Sequence, residues 1–179
     1  MKLFSVISAF LIIATGCTKN IETESKSMLS APDHTELVAT VMQVGESEVT
    51  GSVTFTEAES GVQIQGSFAG LEPGNHGFHI HQYGDCTADD GTSAGGHFNP
   101  ADNQHGAPSD AARHMGDLGN IEANENGEAT VNYVDQTVTL DQILGRGIII
   151  HAGEDDLESQ PTGAAGSRVA CGVIGVAQK

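Results

Sequence analysis

The chain has 179 residues, enough for one domain with an accessory segment. It carries 24 acidic residues against seven Lys and Arg, which gives a formal net charge of −17. Nucleic-acid binding requires clustered positive charge that displaces counterions from phosphate, so this balance excludes a nucleic-acid partner. The same deficit excludes docking on an anionic bilayer through charge alone. The 23 glycines and the lack of Trp favour short strands joined by turns over a helical bundle.

The amino terminus has the pattern of an export signal. Residues 1–16 open with Met1-Lys2 and continue as an apolar stretch that suits a signal-peptide core and is too short to span a bilayer. Ala14-Thr15-Gly16-Cys17 resembles a bacterial lipobox, in which the cysteine is diacylated and becomes the first residue. The alternative is an ordinary secretory signal that happens to contain a cysteine. We predict export to the bacterial cell envelope or periplasm, with attachment to a membrane through a lipid on Cys17.

The segment after the signal differs from the rest of the chain. Residues 17–35 are rich in Ser, Thr, Glu and Lys and have no strand or helix period. A segment of this composition cannot bury a core, so it predicts a flexible tether. The pattern then changes, and residues 36–179 are assigned to one folded domain.

Eight strands are predicted in this domain from alternating or β-branched apolar residues. They lie at residues 37–42, 49–55, 62–68, 77–81, 118–121, 128–134, 148–151 and 169–174. Residues 71–75 have the composition of a turn, and no stretch has a convincing helical period. This spacing indicates an all-β antiparallel barrel or sandwich.

Two long segments interrupt the strands, at residues 82–116 and 152–167, and both are poor in apolar residues. Long loops in a compact domain usually carry function, and something must order them. Cys86 lies in the first loop, and Cys171 lies near the end of the domain. Export places both in an oxidising compartment, and two is the number needed for one disulfide. The alternative is two unpaired buried thiols.

Histidines are placed where strands meet these loops. His79 and His81 lie two residues apart on a predicted strand, so both side chains leave one face while Phe78 and Ile80 leave the other. A pair of this kind is weak evidence by itself. It gains weight from further candidate ligands in the first loop and at the end of another strand: His97, His105, His114, Asp117 and His151.

Imidazole ligands suit copper and zinc, and a mixed set of imidazoles and a carboxylate suits zinc. The pattern therefore predicts a metal centre with two sites if one imidazole is shared. The alternative is a set of surface histidines scattered over an acidic protein. Spacing alone does not assign each histidine to a metal.

Five segments in chain order carry further motifs: Gly77–Asp85, Gly95–Pro100, His105-Gly106, Arg113–Asn120 and Gly166–Gly175. Together they resemble the copper/zinc superoxide dismutase family, over the span from about residue 37 to residue 179. The resemblance implies an eight-stranded antiparallel Greek-key barrel with long metal-binding and electrostatic loops. It also implies copper and zinc as cofactors and superoxide as the substrate.

The resemblance implies a ligand set for each metal. The copper ligands would be His79, His81, His97 and His151. The zinc ligands would be His97, His105, His114 and Asp117. The imidazole of His97 would then bridge the two metals.

Further residues acquire roles from the same resemblance. Asp155 would link the copper ligand His79 to the zinc ligand His105, and the alternative is a solvated acid. Arg168 would attract and orient superoxide, and the alternative is a salt bridge to one of the many acids. His97 would also deliver a proton during the reaction.

The resemblance also pairs Cys86 with Cys171 in a disulfide. His76 matches no ligand position, and we interpret it as a turn residue.

The implied activity is superoxide dismutase, with one-electron cycling of copper and a zinc that keeps the shared histidine in place. One alternative is a non-enzymatic lipoprotein that binds or delivers copper and zinc. Another is a copper-only dismutase, which would lack zinc ligands. The acidity of the whole chain predicts weak long-range attraction of an anionic substrate. A homodimer is a candidate assembly, although the sequence does not settle the oligomeric state.

Overall fold

The computed structural model describes residues 35–178, and nine strands form one sheet in that part of the chain. They are β1 (Glu36–Gln43), β2 (Thr50–Ala58), β3 (Gly61–Ala69), β4 (Gly74–His81), β5 (Asp117–Ala123), β6 (Ala129–Asp135), β7 (Gly147–His151), β8 (Arg168–Val173) and β9 (Gly175–Val176). A one-turn helix, α1 (Leu140–Ile143), and a 3-10 turn at Thr92–Ala94 lie in the connections. Each of the eight predicted strands is present.

The sheet closes into a barrel. Its strands follow the order β2-β3-β6-β5-β4-β7-β8-β1, and β1 pairs with β2 to complete the circle. All of the pairings are antiparallel, and the short β9 adds to β1 as an extra strand. Neighbours that are not consecutive in the chain, such as β3 with β6, give the Greek-key connections. The predicted eight-stranded antiparallel barrel is therefore confirmed.

Alternation along the strands fills the barrel with apolar side chains. In β1 and β3, buried residues recur at every second position over the first half of each strand. Phe55, Ile64 and Phe78 have no exposed area. Complete burial of a side chain of this size contributes about 1.5–3 kcal/mol.

β4 and β7 differ from the other strands because both of their faces are buried. Phe78 and Ile80 join the apolar cluster inside the barrel. His79 and His81 must then point to the outside, yet they are only 0% and 1% exposed. The long loops cover them, and this covered outer face is where the functional residues collect.

Two links fasten the first long loop, residues 82–116, to the barrel. A disulfide joins Cys86 to Cys171 of β8, with the Cα atoms 5.8 Å apart. At the far end of the loop, Arg113 Nη2 donates to Asp135 Oδ2 at 2.6 Å, and both side chains are almost fully buried. The sequence analysis did not single out this ion pair.

The prediction that His76 is a turn residue is wrong. The turn ends earlier than expected, because β4 begins at Gly74. His76 lies inside that strand with 3% of its area exposed. Its Nδ1 lies 2.8 Å from the carbonyl of His151, and its Nε2 lies 2.8 Å from the carbonyl of Glu72.

The sequence analysis also missed α1. A single turn cannot show a helical period, but Thr139 and Gln142 form a capping box that starts it. Within residues 35–178, no helix is long and apolar enough to cross a membrane. The predicted signal peptide (residues 1–16), the lipid site at Cys17 and the tether up to residue 34 lie outside the described residues.

Candidate metal centre

The sheet positions three of the candidate histidines. His79 and His81 stand on β4 opposite Ile149 and Gly147 of β7, and His151 ends β7. His97 comes from the first long loop but joins the edge of the sheet through an isolated bridge to His81. Hydrogen bonds of the sheet therefore hold the backbone of these four histidines.

The first set consists of four buried histidines: His79, His81, His97 and His151. One ring nitrogen from each lies within 4.8 Å of the others. The rings of His79 and His97 are the nearest, with centroids 4.0 Å apart. The structure therefore brings together four imidazoles that are far apart in the sequence.

The second set consists of His97, His105, His114 and Asp117, and it is also buried. Asp117 Oδ1 is its centre, at 2.7 Å from His97 Nδ1, 3.1 Å from His114 Nδ1 and 3.0 Å from His105 Nδ1. His97 belongs to both sets, since its Nδ1 faces Asp117 while its Nε2 faces the first set.

The first set fits a metal ion. Within residues 35–178, one buried ring nitrogen of each member has no hydrogen-bond partner: His79 Nδ1, His81 Nε2, His97 Nε2 and His151 Nε2. An unpaired polar atom in a protein interior is costly, and an ion that prefers nitrogen ligands satisfies all four. The mixed nitrogen and oxygen donors of the second set suit zinc.

In His79, His81 and His151 the second ring nitrogen is hydrogen-bonded, and that bond decides which nitrogen keeps the free lone pair. His81 Nδ1 lies 2.9 Å from the Gly95 carbonyl, and His151 Nδ1 lies 3.1 Å from the Gly166 carbonyl. A carbonyl accepts only from N–H, so the proton is assigned to Nδ1 and the lone pair to Nε2. In His79 the order is reversed, because Nε2 donates to Asp155 Oδ2 at 2.7 Å.

Burial favours the neutral form of three histidines of the first set. It lowers the pKa of His79 to about 4 and that of His151 to about 3, and it also lowers the pKa of His81. The neutral imidazole is the form that binds a metal. These rings therefore offer their lone pairs at neutral pH.

In the second set, contacts between carboxylates and imidazoles outweigh burial at Asp117 and His105. Burial favours the neutral form of Asp117, but His105 and His97 outweigh it and hold the pKa of this carboxyl far below its usual value. Burial lowers the pKa of His105, whereas Asp117 and Asp155 outweigh that effect and raise it to about 9. The surroundings of His105 therefore favour positive charge, which suits a divalent cation.

Asp155 connects the two sets. Its Oδ2 accepts from His79 and its Oδ1 accepts from His105 Nε2 at 2.9 Å. Asn120 on β5 makes two hydrogen bonds of 2.8 Å to the backbone of Asp155: its Nδ2 donates to the carbonyl, and its Oδ1 accepts from the N–H. Gly163 lies against the carboxylate of Asp155, and a Cβ at that position would be 1.8 Å from Oδ1. The sequence carries no local signal for either contact: Asn120 is 35 residues from Asp155, and the close approach of Gly163 depends on the folded loop.

Arg168 stands beside the first set. It pairs with His151 across β7 and β8, and its guanidinium donates to the carbonyls of Gly91 and Gly95. Gly95 is also the partner of His81. Among the described residues no carboxylate lies within salt-bridge distance of this guanidinium. The alternative of a structural salt bridge therefore has no support.

Comparisons with known proteins point to one family. Residues 49–174 match the family model for copper/zinc superoxide dismutase. The chain is 40% identical to an extracellular copper-zinc superoxide dismutase of Drosophila melanogaster, over 96% of this chain and 97% of that protein. It also resembles the crystal structure of the clock protein EA4, with a TM-score of 0.75 and 38% identity over 83% of this chain and 98% of that one.

We expect Asp155→Asn to weaken metal binding at both sets by about ten-fold or more. Two histidine N–H groups need an acceptor here, but an amide offers one oxygen and a second group that donates. One of the two bonds is therefore lost. Metal retained against increasing chelator, measured by elemental analysis, gives the comparison.

Glu154→Gln is the matched control, because Glu154 is an exposed neighbour whose carboxylate, among residues 35–178, accepts a hydrogen bond only from Asn75. The control should retain metal like the wild type. Equal retention by Asp155→Asn would show that the link between the sets does not support metal binding.

Proposed function

Because the chain belongs to the copper/zinc superoxide dismutase family, its activity is the disproportionation of superoxide with copper and zinc, and we propose which side chains carry it. The observation that carries the assignment is the position of His97, whose two ring nitrogens face two separate sets of donors. A single imidazole shared by two sets of donors can bridge two metal ions.

We assign copper to the four histidines of the first set and zinc to the second set. Bound copper would supply the one-electron chemistry by which two superoxide ions and two protons give oxygen and hydrogen peroxide, and bound zinc would supply a fixed positive charge. The free nitrogens of the first set support the copper assignment. The carboxylate of Asp117 among three imidazoles supports zinc in the second set.

His97 and Arg168 act on the substrate in this proposal. His97 Nε2, which is buried beside the first set, would take up a proton and pass it to the departing peroxide, while Asp117 holds Nδ1 at 2.7 Å. Arg168 binds and orients the superoxide anion with guanidinium N–H groups that face away from the Gly91 and Gly95 carbonyls. With a net charge of −17, attraction of the anion depends on this local positive charge.

The rival activities have less support. A protein that only stores or delivers metal does not need an arginine held beside its histidines, yet Arg168 is fixed by two carbonyls. A copper-only enzyme does not need the second set, yet His105, His114 and Asp117 lie together and buried.

We expect Arg168→Ala to lower kcat/KM for superoxide by about ten-fold or more, because local electrostatic steering supplies that range. Copper and zinc content should stay at the wild-type level, since within residues 35–178 the guanidinium bonds to the Gly91 and Gly95 carbonyls and to no imidazole. Pulse radiolysis together with elemental analysis of the metal-loaded protein measures both quantities.

Arg146→Ala is the control, because Arg146 also donates to a carbonyl, that of Gln82, and lies over the ring of Phe98. Its rate should remain near that of the wild type. Loss of copper in Arg168→Ala would refute the substrate role, and a fully loaded wild type without activity would favour the storage protein.

We further propose that the protein is exported and held at a bacterial membrane by a lipid on Cys17. The signal-like segment at residues 1–16 and the lipobox-like Ala14-Thr15-Gly16-Cys17 support this proposal. The Drosophila relative is named as an extracellular enzyme, which agrees with export. The finer location would be the periplasm or cell envelope.

We expect Cys17→Ser to move the protein from the detergent phase to the aqueous phase in Triton X-114 partitioning of expressing bacteria, without loss of specific activity. The lipid has no other attachment point in this proposal. Thr18→Ser provides the control and should remain in the detergent phase. A wild-type protein found only in the aqueous phase would contradict the anchor.

A homodimer is proposed from an exposed apolar patch formed by Tyr83, Leu144 and Val173, which are 59%, 36% and 45% exposed. Gly84 joins these segments, because a Cβ at that position would meet the Gly145 carbonyl at 2.3 Å and Val173 Cγ1 at 2.9 Å. An exposed apolar patch suits a self-complementary interface with a second copy.

We expect Val173→Glu to convert a dimer into a monomer, because a charge at the centre of the patch would be buried without a partner. Light scattering after size-exclusion chromatography measures the mass. Val134→Glu is the control, since Val134 is an exposed valine on β6, at 37%. A wild type that is monomeric at micromolar concentration would refute the dimer.

A further inference from the structure

His105 differs from the histidines of the first set in how its backbone is held. His79, His81 and His151 lie on strands whose ladders bond their backbone groups. His105 lies in the first long loop, in a stretch without regular secondary structure, and is only 5% exposed. Within residues 35–178, its backbone N–H and C=O make no bond to another backbone group. Buried backbone groups need partners, so something else must supply them.

Gln160 supplies both partners. The N–H of His105 donates to Gln160 Oε1 at 2.8 Å, and Gln160 Nε2 donates to the carbonyl of His105 at 2.9 Å. The carboxamide thus makes the two bonds that a neighbouring strand would make. Sequence reasoning gave no signal for this contact, because the partners are 55 residues apart.

The loop that carries Gln160, residues 152–167, contacts His105 at a second point. Asp155, five residues before Gln160, accepts from the ring at Nε2. Between them the chain forms a closed turn, in which Gly163 N–H donates to the Ser159 carbonyl at 2.7 Å and Asp156 Oδ1 accepts from Ser159 N–H at 2.8 Å. Gln160 is therefore presented by an ordered turn, and it fixes the backbone while Asp155 fixes the ring.

We propose that Gln160 is a positioning residue for the zinc site. By holding the backbone of His105, Gln160 slows the release of zinc. This rests on the proposed function, in which His105 is a zinc ligand. A carboxamide is required, because the site needs one acceptor and one donor. Glutamate retains the acceptor only, and methionine retains neither at similar length.

The experiment uses the copper- and zinc-loaded protein and follows zinc transfer to a chromogenic chelator. We expect Gln160→Met to release zinc about ten-fold faster than the wild type, the lower end of the range for residues that support ligands. Gln160→Glu should lie between the two. The absorption spectrum of cobalt(II) in place of zinc should change in Gln160→Met, since a shifted His105 alters the ligand geometry.

Gln63→Met is the matched control. Gln63 also donates from its carboxamide to backbone carbonyls, those of Ile64 and Tyr133, but it lies on β3 away from the metal sets. It should release zinc at the wild-type rate. The metal-free forms of both variants should unfold at similar temperatures.

Two results would overturn the proposal. Equal acceleration of zinc release in Gln160→Met and Gln63→Met would mean general destabilisation. No acceleration in Gln160→Met would mean that the two hydrogen bonds between Gln160 and the backbone of His105 have no effect on zinc release. His105→Ala separates these results from failure of the proposed function. If His105→Ala retains zinc like the wild type, the ligand assignment itself is wrong; if it loses zinc, only the role of Gln160 is in question.

Discussion

Within residues 35–178, four buried imidazole nitrogens face one another without a hydrogen-bond partner, and the rest of the structure depends on this constraint. A buried polar atom without a partner costs about 1–3 kcal/mol. Four such atoms in one cluster are a large fraction of the stability of a typical domain. The closed barrel has to tolerate that cost before any metal is bound. Coordination then removes it, so metal binding contributes directly to the stability of the folded state.

The two metal sets are supported in different ways. In the first set, β4 and β7 hold the histidines through ladder hydrogen bonds, and carbonyls of the loops select the ring proton. In the second set, His105 and His114 lie in a loop and depend on side-chain contacts with Asp117, Asp155 and Gln160. The sheet therefore holds the first set, and contacts between loops hold the second set. His97 lies at the junction and belongs to both.

The strands and the two metal sets could be predicted because their signals are local or carried by ordered motifs. Alternation in residues 62–68, for example, is visible without tertiary information, and β3 forms there. His76 was misjudged because Pro73-Gly74 beside it signals a turn, whereas its ring is held by the carbonyl of a residue 75 positions away. Arg113 with Asp135, and Gln160 with His105, were missed for the same reason. The partner of a polar side chain is decided by the closed fold, and no period in the sequence records it.

The glycine that covers Asp155 limits how this protein can vary. Since the carboxylate oxygen occupies the position of a Cβ at Gly163, and the backbone there has a φ of +63°, no side chain fits without displacing the link between the sets. The neighbouring residues Glu158 and Ser159 face solvent and have no such limit. Attempts to diversify this loop, for surface charge or for attachment of a label, should therefore be confined to its exposed turn, while its inner side keeps a fixed shape.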